Sequence, residues 1–432
     1  MKVCVIGMGK IGLPLAVQFA LKGLNVMGAD INSDTVNKIN NAEEPFPGEF
    51  GLDAKLKQVV KDGKFCATNS NVEGVKDADV IVVVVPLFVD KSGLADFSSL
   101  DSVCDDISDS LKPGALVSFE TTLPVGTTRH RLGKRIHQRS GLLPGSDFSL
   151  VFSPERVLTG RVFSDLGKYP KIVGGVTVRC TKKGADFYSS VLDFDHRLDL
   201  VRPNGVWCVE NSETAELIKL AETTYRDVNI ALTNQFAKFA DRNQLDYLQV
   251  IEACNSQPYS HLHNPGIAVG GHCIPIYPQL YLQGDPGAEL VSTARRINSE
   301  MPEYAISKIV EKWGSLKGTK VLVLGASYRA GVKEVAYSGA YKLLQELTRA
   351  GAVTEIYDPI FSSAELIERG FIPVDREKLD HEIIIIQNED ASFVSICESE
   401  SISPNAKVIY DGRNILPKPF KRVGVNIISL GR

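Results

Sequence analysis

The chain has no CxxC pair, no apolar run longer than a strand and no long block of charge of either sign. Eight cysteines (4, 66, 104, 180, 208, 254, 273 and 397) are scattered without a framework. That pattern points to reduced thiols and away from a small disulfide-stapled domain. The formal charge is only -4, with 23% of residues charged and 44% hydrophobic, so the basic footprint of a nucleic-acid binder is missing. The opening MKVCVIGMGKIG reads as a strand and a glycine turn, not as a signal peptide or a membrane span. These absences predict a cytoplasmic chain with no nucleic-acid partner and no membrane association. Its 432 residues exceed what one core organises and suggest about two to four domains.

What is present is alternation. KVCVIG, NVMGAD, DVIVVVVP, ALVSFE, FSLVFSP and KIVGG are short β-branched runs separated by helical patterns, the texture of a parallel sheet covered by helices. From Thr214 to Arg242 there is no glycine or proline, and Leu217, Ala221, Tyr225, Val228, Leu232, Phe236 and Phe239 step by four and three. They define one face of a helix about 40 Å long, a length suited to spanning domains or packing on a partner chain. Residues 255–290 read as loop and Ala288 to Trp313 as a second helical stretch. KVLVLGASYRAG, TEIYDP, HEIIIIQN and KVIYDGRN then repeat the strand texture. The expected fold is α/β: two Rossmann-like doubly wound domains (1–200 and 313–432) joined by a long central helix and a helical middle domain (201–312).

Gly7, Gly9 and Gly12 form GxGxxG between the strand VCVI and a helical pattern. In that context the first glycine makes the turn, the second admits a pyrophosphate and the third lets helix pack on strand. Asp30 ends the next strand, where a carboxylate can accept from ribose hydroxyls. No Arg or Lys follows within seven residues, so a 2′-phosphate would be repelled and NAD is expected over NADP. A flavodoxin-like or purely structural turn with a chance acid is the alternative.

Thr122 in ETTLPVGTT and Glu155 in FSPERV each follow a strand, at the carboxyl-terminal edge where open α/β sheets bind ligands; each segment alone also fits a turn or a cap. Lys219, Thr223, Arg226 and Asn229 make a polar stripe on the long helix, which equally suits a solvated face. NPGIAVGGHCIPIYP (264–278) holds Gly271, His272 and Cys273. Cys273 reads as a nucleophile, a buried thiol or, with His261, His263 and His272, a metal ligand. An HxH pair followed by HC is not a usual zinc spacing, and no metal is expected. A thiolate among loop amides and near Lys219 would serve as a covalent nucleophile.

Taken together, GMGKIG with Asp30, ETTLPVGTT, SPER, AELIKLAETTYRDVNIAL, GGHCIP and the C-terminal GASYRAGVKE, YDP and DGRN resemble the UDP-glucose/GDP-mannose dehydrogenase family in order and spacing over essentially the whole chain. The resemblance implies oxidation of a nucleotide sugar's C6 alcohol to a carboxylate, with two NAD+ reduced. It makes Cys273 the nucleophile of a thiohemiacetal and then a thioester, and Lys219 the stabiliser of the oxyanion. Thr122 becomes a water-positioning residue beside the cofactor, Glu155 the acid–base group and Thr223 a hydroxyl that holds water. Arg226, Asn229, Gly271 and His272 become substrate contacts, and Arg329 and Arg413 partners for the diphosphate.

Three positions depart from the family's usual pattern: Thr223 stands for Asn, Tyr277 for Asp, and EVAYSG (334–339) for DxRxSP. Glu120, PERVLTGRV with KIVGG, and the His of GGHC resemble the branch acting on UDP-2-acetamido sugars, which makes UDP-N-acetylmannosamine and UDP-N-acetylglucosamine the expected substrates. UDP-glucose, and less so GDP-mannose, are the alternatives within the family. A non-covalent hydroxyacid or 6-phosphogluconate type dehydrogenase and a degenerate nucleotide-sugar binder are the alternatives outside it. The long apolar helix face suggests a homodimer, and uronic acids of the kind the resemblance implies go into surface polysaccharides.

Overall fold

Runs such as KVCVI, VIVV and LVSF are buried along almost their whole length, which requires a sheet covered on both faces. The computed structural model describes residues 1–46, 48–90 and 93–432. They form two compact units, Met1–Glu222 with Gln279–Gly284, and Thr223–Pro278 with Asp285–Arg432.

In the first unit, β1 (Lys2–Ile6), β2 (Asn25–Ala29), β3 (Phe65–Thr68) and β4 (Val80–Val83) are followed by a small antiparallel pair, β5 (Phe88–Val89) and β6 (Ala95–Asp96). β7 (Leu116–Phe119), β8 (Ser149–Phe152), β9 (Lys171–Gly175) and β10 (Val206–Cys208) complete an eight-stranded sheet. Its order is β10-β9-β8-β7-β4-β1-β2-β3. The order reverses between β1 and β4, which puts a ligand crevice at their carboxyl ends. One pairing corrects the expectation of an all-parallel sheet: β8 and β9 run antiparallel. A strand buried on both faces has the same apolar texture in either direction, so its direction is set by the connection and not by the pattern.

The second unit carries β11 (Lys320–Leu324), β12 (Val353–Tyr357), β13 (Ile383–Ile386), β14 (Val408–Asp411) and β15 (Asn426–Ser429). They form a parallel sheet ordered β12-β11-β13-β14-β15. Alternate residues of one strand serve two cores: Val321 and Val323 join Ile267, Ile309 and Leu343 on one side, while Leu322 and Leu324 join Phe393 and Ile409 on the other.

The long helix runs over Ser212–Asn243, 32 residues, or about 48 Å at 1.5 Å per residue. Its predicted apolar face is not its buried face. Leu217, Tyr225, Leu232, Phe236 and Phe239 are 43–58% exposed, whereas Glu216, Thr223, Asp227, Thr233 and Asn234 are buried with Ala215, Leu220, Ala231 and Ala237. The helical stretch expected from Ala288 is two helices, Glu289–Ser299 and Met301–Trp313, with Pro302 in the first turn of the second. A proline is tolerated there and not in a helix interior. Within the segment read as loop, Tyr277–Gly284 is a helix.

Candidate active site

In the first unit the glycine turn follows β1. Gly7 has φ +97°, and a Cβ on Gly12 would lie 1.9 Å from the Gly7 carbonyl oxygen, so both are fixed by backbone geometry. A Cβ on Gly9 would meet nothing within 4 Å, which leaves the approach to the helix N-terminus open. Asp30 accepts from the Met8 N–H at 2.7 Å and from the Asn32 N–H at 2.8 Å. The carboxylate is thereby tied to the turn, at the place where ribose hydroxyls would reach it. This cradle fits NAD: open space at the pyrophosphate position and an acid, with no base, at the ribose position.

The analogous turn of the second unit is filled. Asp358, at the end of β12, accepts from the Ala326 N–H at 2.8 Å and from the N–H and hydroxyl of Ser327 at 3.0 and 3.1 Å. A Cβ on Gly325 would lie 2.6 Å from the Asn388 side chain, whose amide donates to Ser327 Oγ at 2.8 Å. Two similar strand–turn units therefore differ in the one feature a dinucleotide needs.

Thr122 lies three residues beyond β7 and is buried. Its segment is pinned at both ends. Thr121 Oγ1 donates to the Val85 carbonyl at 2.6 Å. Glu216, on the long helix, accepts from Gly126 N at 2.5 Å, Thr128 N at 2.8 Å and Thr128 Oγ1 at 2.6 Å. Burial pushes the Glu216 carboxyl up to about 7 despite these donors. Lys219, one turn further on, donates from Nζ to the backbone carbonyl of Glu155 at 2.6 Å.

The Glu155 carboxyl sits in a buried cluster. Lys171 Nζ bridges Glu120 Oε2 at 2.7 Å and Glu155 Oε2 at 2.8 Å. Tyr188 Oη donates to Glu120 Oε1 at 2.6 Å and lies 2.7 Å from Ser118 Oγ. Burial pushes Glu120 up to about 7 against the pull of Lys171. Burial also opposes the Glu155 charge, but Lys171 and the Arg156 N–H outweigh it and hold that carboxyl below its ordinary range.

In the second unit the loop 264–278 is held at several points. Gly266 N donates to Asn234 Oδ1 at 3.0 Å, Ile267 N to the Gly412 carbonyl at 3.0 Å, and Arg413 Nη2 to the Ala268 carbonyl at 3.0 Å. Arg413 also donates from Nε to the Gln387 carbonyl at 2.7 Å, and burial draws its guanidinium pKa down. Gly271 has φ +91°, and a Cβ there would press on the Tyr328 ring at 3.0 Å. His272 stands 3.7 Å from Glu334 and edge-on to Tyr337. Cys273 is exposed, and its carbonyl accepts from the Tyr277 N–H at 2.9 Å, so Tyr277 opens the helix that follows. Thr223 is buried and Arg226 exposed on the long helix. Asn229 donates to the His261 carbonyl at 2.8 Å and accepts from the His263 N–H at 3.0 Å. Arg329 is half-buried in the turn after β11. Among the described residues no three His, Cys, Asp or Glu side chains are grouped to hold a metal ion.

Three models of one family match in register: the NAD binding domain of the UDP-glucose/GDP-mannose dehydrogenase family over residues 1–192, its central domain over 213–300 and its UDP binding domain over 322–418. The chain belongs to the UDP-glucose/GDP-mannose dehydrogenase family. It is accordingly an NAD-dependent nucleotide-sugar dehydrogenase. It is 34% identical to the UDP-N-acetyl-D-mannosamine dehydrogenase of Pyrococcus horikoshii over 100% of this chain and 99% of that protein. The solved structure of UDP-D-ManNAc dehydrogenase from the same organism has a TM-score of 0.89 at 33% identity, covering 100% and 99% of the two chains. The NDP-N-acetyl-D-galactosaminuronic acid dehydrogenase of Methanosarcina mazei has a TM-score of 0.84 at 27% identity, covering 100% and 95%.

The residues that the sequence singled out as candidates divide between the two units. Gly7, Gly9, Gly12, Asp30, Thr122, Glu155 and Lys219 lie in the first, and Thr223, Arg226, Asn229, Gly271, His272, Cys273, Arg329 and Arg413 in the second. The sequence reading missed Lys171, Tyr188, Glu216 and Asn234. Lys171 had one available signal: it is the only charged residue in the strand KIVGG, all five of whose positions are buried.

Proposed function

We propose that the chain oxidises the C6 alcohol of a UDP-2-acetamido sugar, UDP-N-acetylmannosamine or UDP-N-acetylglucosamine, to the uronate through a covalent adduct on Cys273. The observation that carries the reading is the exposed thiol of Cys273 in a glycine loop anchored from Asn234, Gly412 and Arg413. The substrate class rests on the full-length relatives and on Glu120. NAD+, when bound, takes a hydride from C6 in each of two rounds, so the balance is alcohol, water and two NAD+ giving carboxylate, two NADH and three protons.

In this reading the Cys273 thiolate adds to the aldehyde carbon, and the oxygen takes a proton to give a thiohemiacetal. Loss of that proton with the second hydride leaves the thioester. Water, held by the Thr122 and Thr223 hydroxyls, attacks the acyl carbon while Glu155 accepts its proton; the C–S bond breaks and the thiolate returns. The Lys219 ammonium stabilises the oxyanion at each tetrahedral stage. A thiol is needed because an aldehyde is a poor hydride donor and its sulfur adduct a good one. Arg226, Asn229, Gly271 and His272 form the sugar side, and Arg329 and Arg413 meet the diphosphate, with guanidinium forks matching paired oxygens.

The working regions are 1–200 for NAD, 201–312 for the middle and the Cys273 loop, and 313–432 for UDP. The chain acts as a cytoplasmic homodimer, a reading supported by the exposed apolar row of the long helix and by the absence, among the described residues, of any helix long and apolar enough to cross a membrane.

The test is stoichiometric. Across a panel of UDP-N-acetylmannosamine, UDP-N-acetylglucosamine, UDP-glucose and GDP-mannose, two NADH should form per UDP-2-acetamido sugar consumed, and Cys273→Ser should abolish turnover. One NADH per sugar, or a steady rate that survives Cys273→Ser, would refute the covalent route. Faster turnover of UDP-glucose would refute the substrate assignment.

A further inference from the structure

The Glu120–Lys171–Glu155 cluster is larger than an acid–base role for Glu155 requires. Lys171 opens β9, its side chain is 5% exposed, and its ammonium lies 2.7 and 2.8 Å from two carboxylates and 4.8 Å from the centroid of the Tyr188 ring. The Glu120 side chain has no exposure at all. Stability does not account for such a group. Desolvating several charges costs about as much as their attraction returns, and apolar side chains of similar volume are often at least as stable. The most exposed member is Glu155, at 11%.

We propose that Lys171 is a positioning residue for thioester hydrolysis: clamped against Glu120, it holds the Glu155 carboxylate charged and in one orientation toward the attacking water. Glu120 and Tyr188 set Lys171 in place from behind, since Tyr188 donates to Glu120 and Glu120 accepts from Lys171. The geometry leaves Glu155 Oε1, which accepts from the Arg156 N–H, as the oxygen not taken by the ammonium. Other charged groups around Glu155 in the first unit are already paired. Arg156 is bonded to Glu222 and to the Pro170 carbonyl, Lys219 to the Glu155 carbonyl, and Arg161 to the buried Asp165. Lys171 is therefore the cation bonded to the Glu155 carboxylate itself, and its loss leaves the Arg156 N–H to oppose burial of that charge without a cation.

The inference rests on the proposed role of Glu155 in hydrolysis, and acid-quenched intact-mass spectrometry separates the two. The full chain is quenched while turning over UDP-N-acetylmannosamine with NAD+, at pH 6 to 9, and the fraction acylated at Cys273 is read. Glu155→Gln should accumulate the adduct at every pH; no adduct in that variant overturns the underlying reading and this inference with it. Lys171→Met should accumulate several-fold more adduct than wild type at pH 6 and lose it as pH rises, with a midpoint at least about one pH unit higher, equivalent to tenfold at fixed pH. Lys171→Gln, which keeps a donor without the charge, should behave alike if the methionine variant does not fold, and Lys171→Arg should follow wild type. If Glu155→Gln accumulates adduct while the folded uncharged Lys171 variants match wild type in fraction and midpoint, Lys171 is structural and the inference is wrong.

Discussion

Two glycines of one motif separate folding from binding at the level of single atoms. A methyl at Gly12 would stand 1.9 Å from the Gly7 carbonyl oxygen, so Gly12→Ala must displace backbone and should cost about 3 kcal/mol or more. A methyl at Gly9 meets nothing within 4 Å. Gly9→Ala should leave the melting temperature unchanged, yet weaken NAD+ binding at least about tenfold by standing where the pyrophosphate approaches. Calorimetry of both variants checks the pair; unchanged NAD+ affinity in Gly9→Ala would remove the pyrophosphate from that turn.

Glu216 and Glu120 add a pH dependence with a definite sign. Both carboxyls are pushed to about 7 in the fold, above their ordinary value near 4.5, so the folded state holds more protons between those limits. The contribution of these two groups to stability is then complete below pH 4.5 and falls as pH rises toward 7, by up to about 1.4 kcal/mol per pH unit for each group. Urea midpoints at pH 5 and 7.5 should show the fall, and Glu216→Gln should remove about half of it. An equal fall in the variant would mean that Glu216 is ionised throughout. Neither residue was legible as buried: their partners Thr128 and Lys171 lie 88 and 51 residues away, and a lone acid in a polar stretch looks like surface.

At the scale of elements, textures were legible and directions and pairings were not. β1, β4, β7 and β8 stand where the β-branched runs are, but the antiparallel β8–β9 pairing leaves no mark on residues buried on both sides. The helix Tyr277–Gly284 was hidden by the prolines and glycines ahead of it. An ionic ladder between two helical segments was equally hidden. Arg131, Arg135 and Arg139 each pair with the residue thirty positions earlier, Asp101, Asp105 and Asp109, at 2.6–2.7 Å, with cross-pairs at 3.8 Å. Each series repeats every four residues, but only the fold sets the two in register. These groups are partly exposed at the surface, so Arg135→Ala should cost at most about 1 kcal/mol at low salt, and that loss should largely vanish in 1 M NaCl. A salt-independent loss would place the effect in packing, not charge.

At the scale of the whole molecule, the long helix is inverted relative to the usual rule. A helix on a monomer turns its apolar stripe inward. Here the inward face is instead held by polar bonds: Asp227 accepts from Arg295 at 2.6 Å and Asn298 at 2.8 Å, and Asn298 accepts from Asn234 at 2.9 Å. The outward face carries Tyr225, Leu232, Phe236 and Phe239, 58, 45, 43 and 53% exposed. A row of large apolar side chains over four turns is a contiguous patch that soluble monomers rarely leave bare, and a two-fold axis across it would set the same row against itself in a second copy. Size exclusion with light scattering should therefore give twice the chain mass. Leu232→Glu with Phe239→Glu should give a monomer of unchanged circular dichroism, because both side chains are about half exposed on the outward face. A wild-type chain that runs at its own mass would leave the exposed row without the second copy, and the homodimer would be discarded.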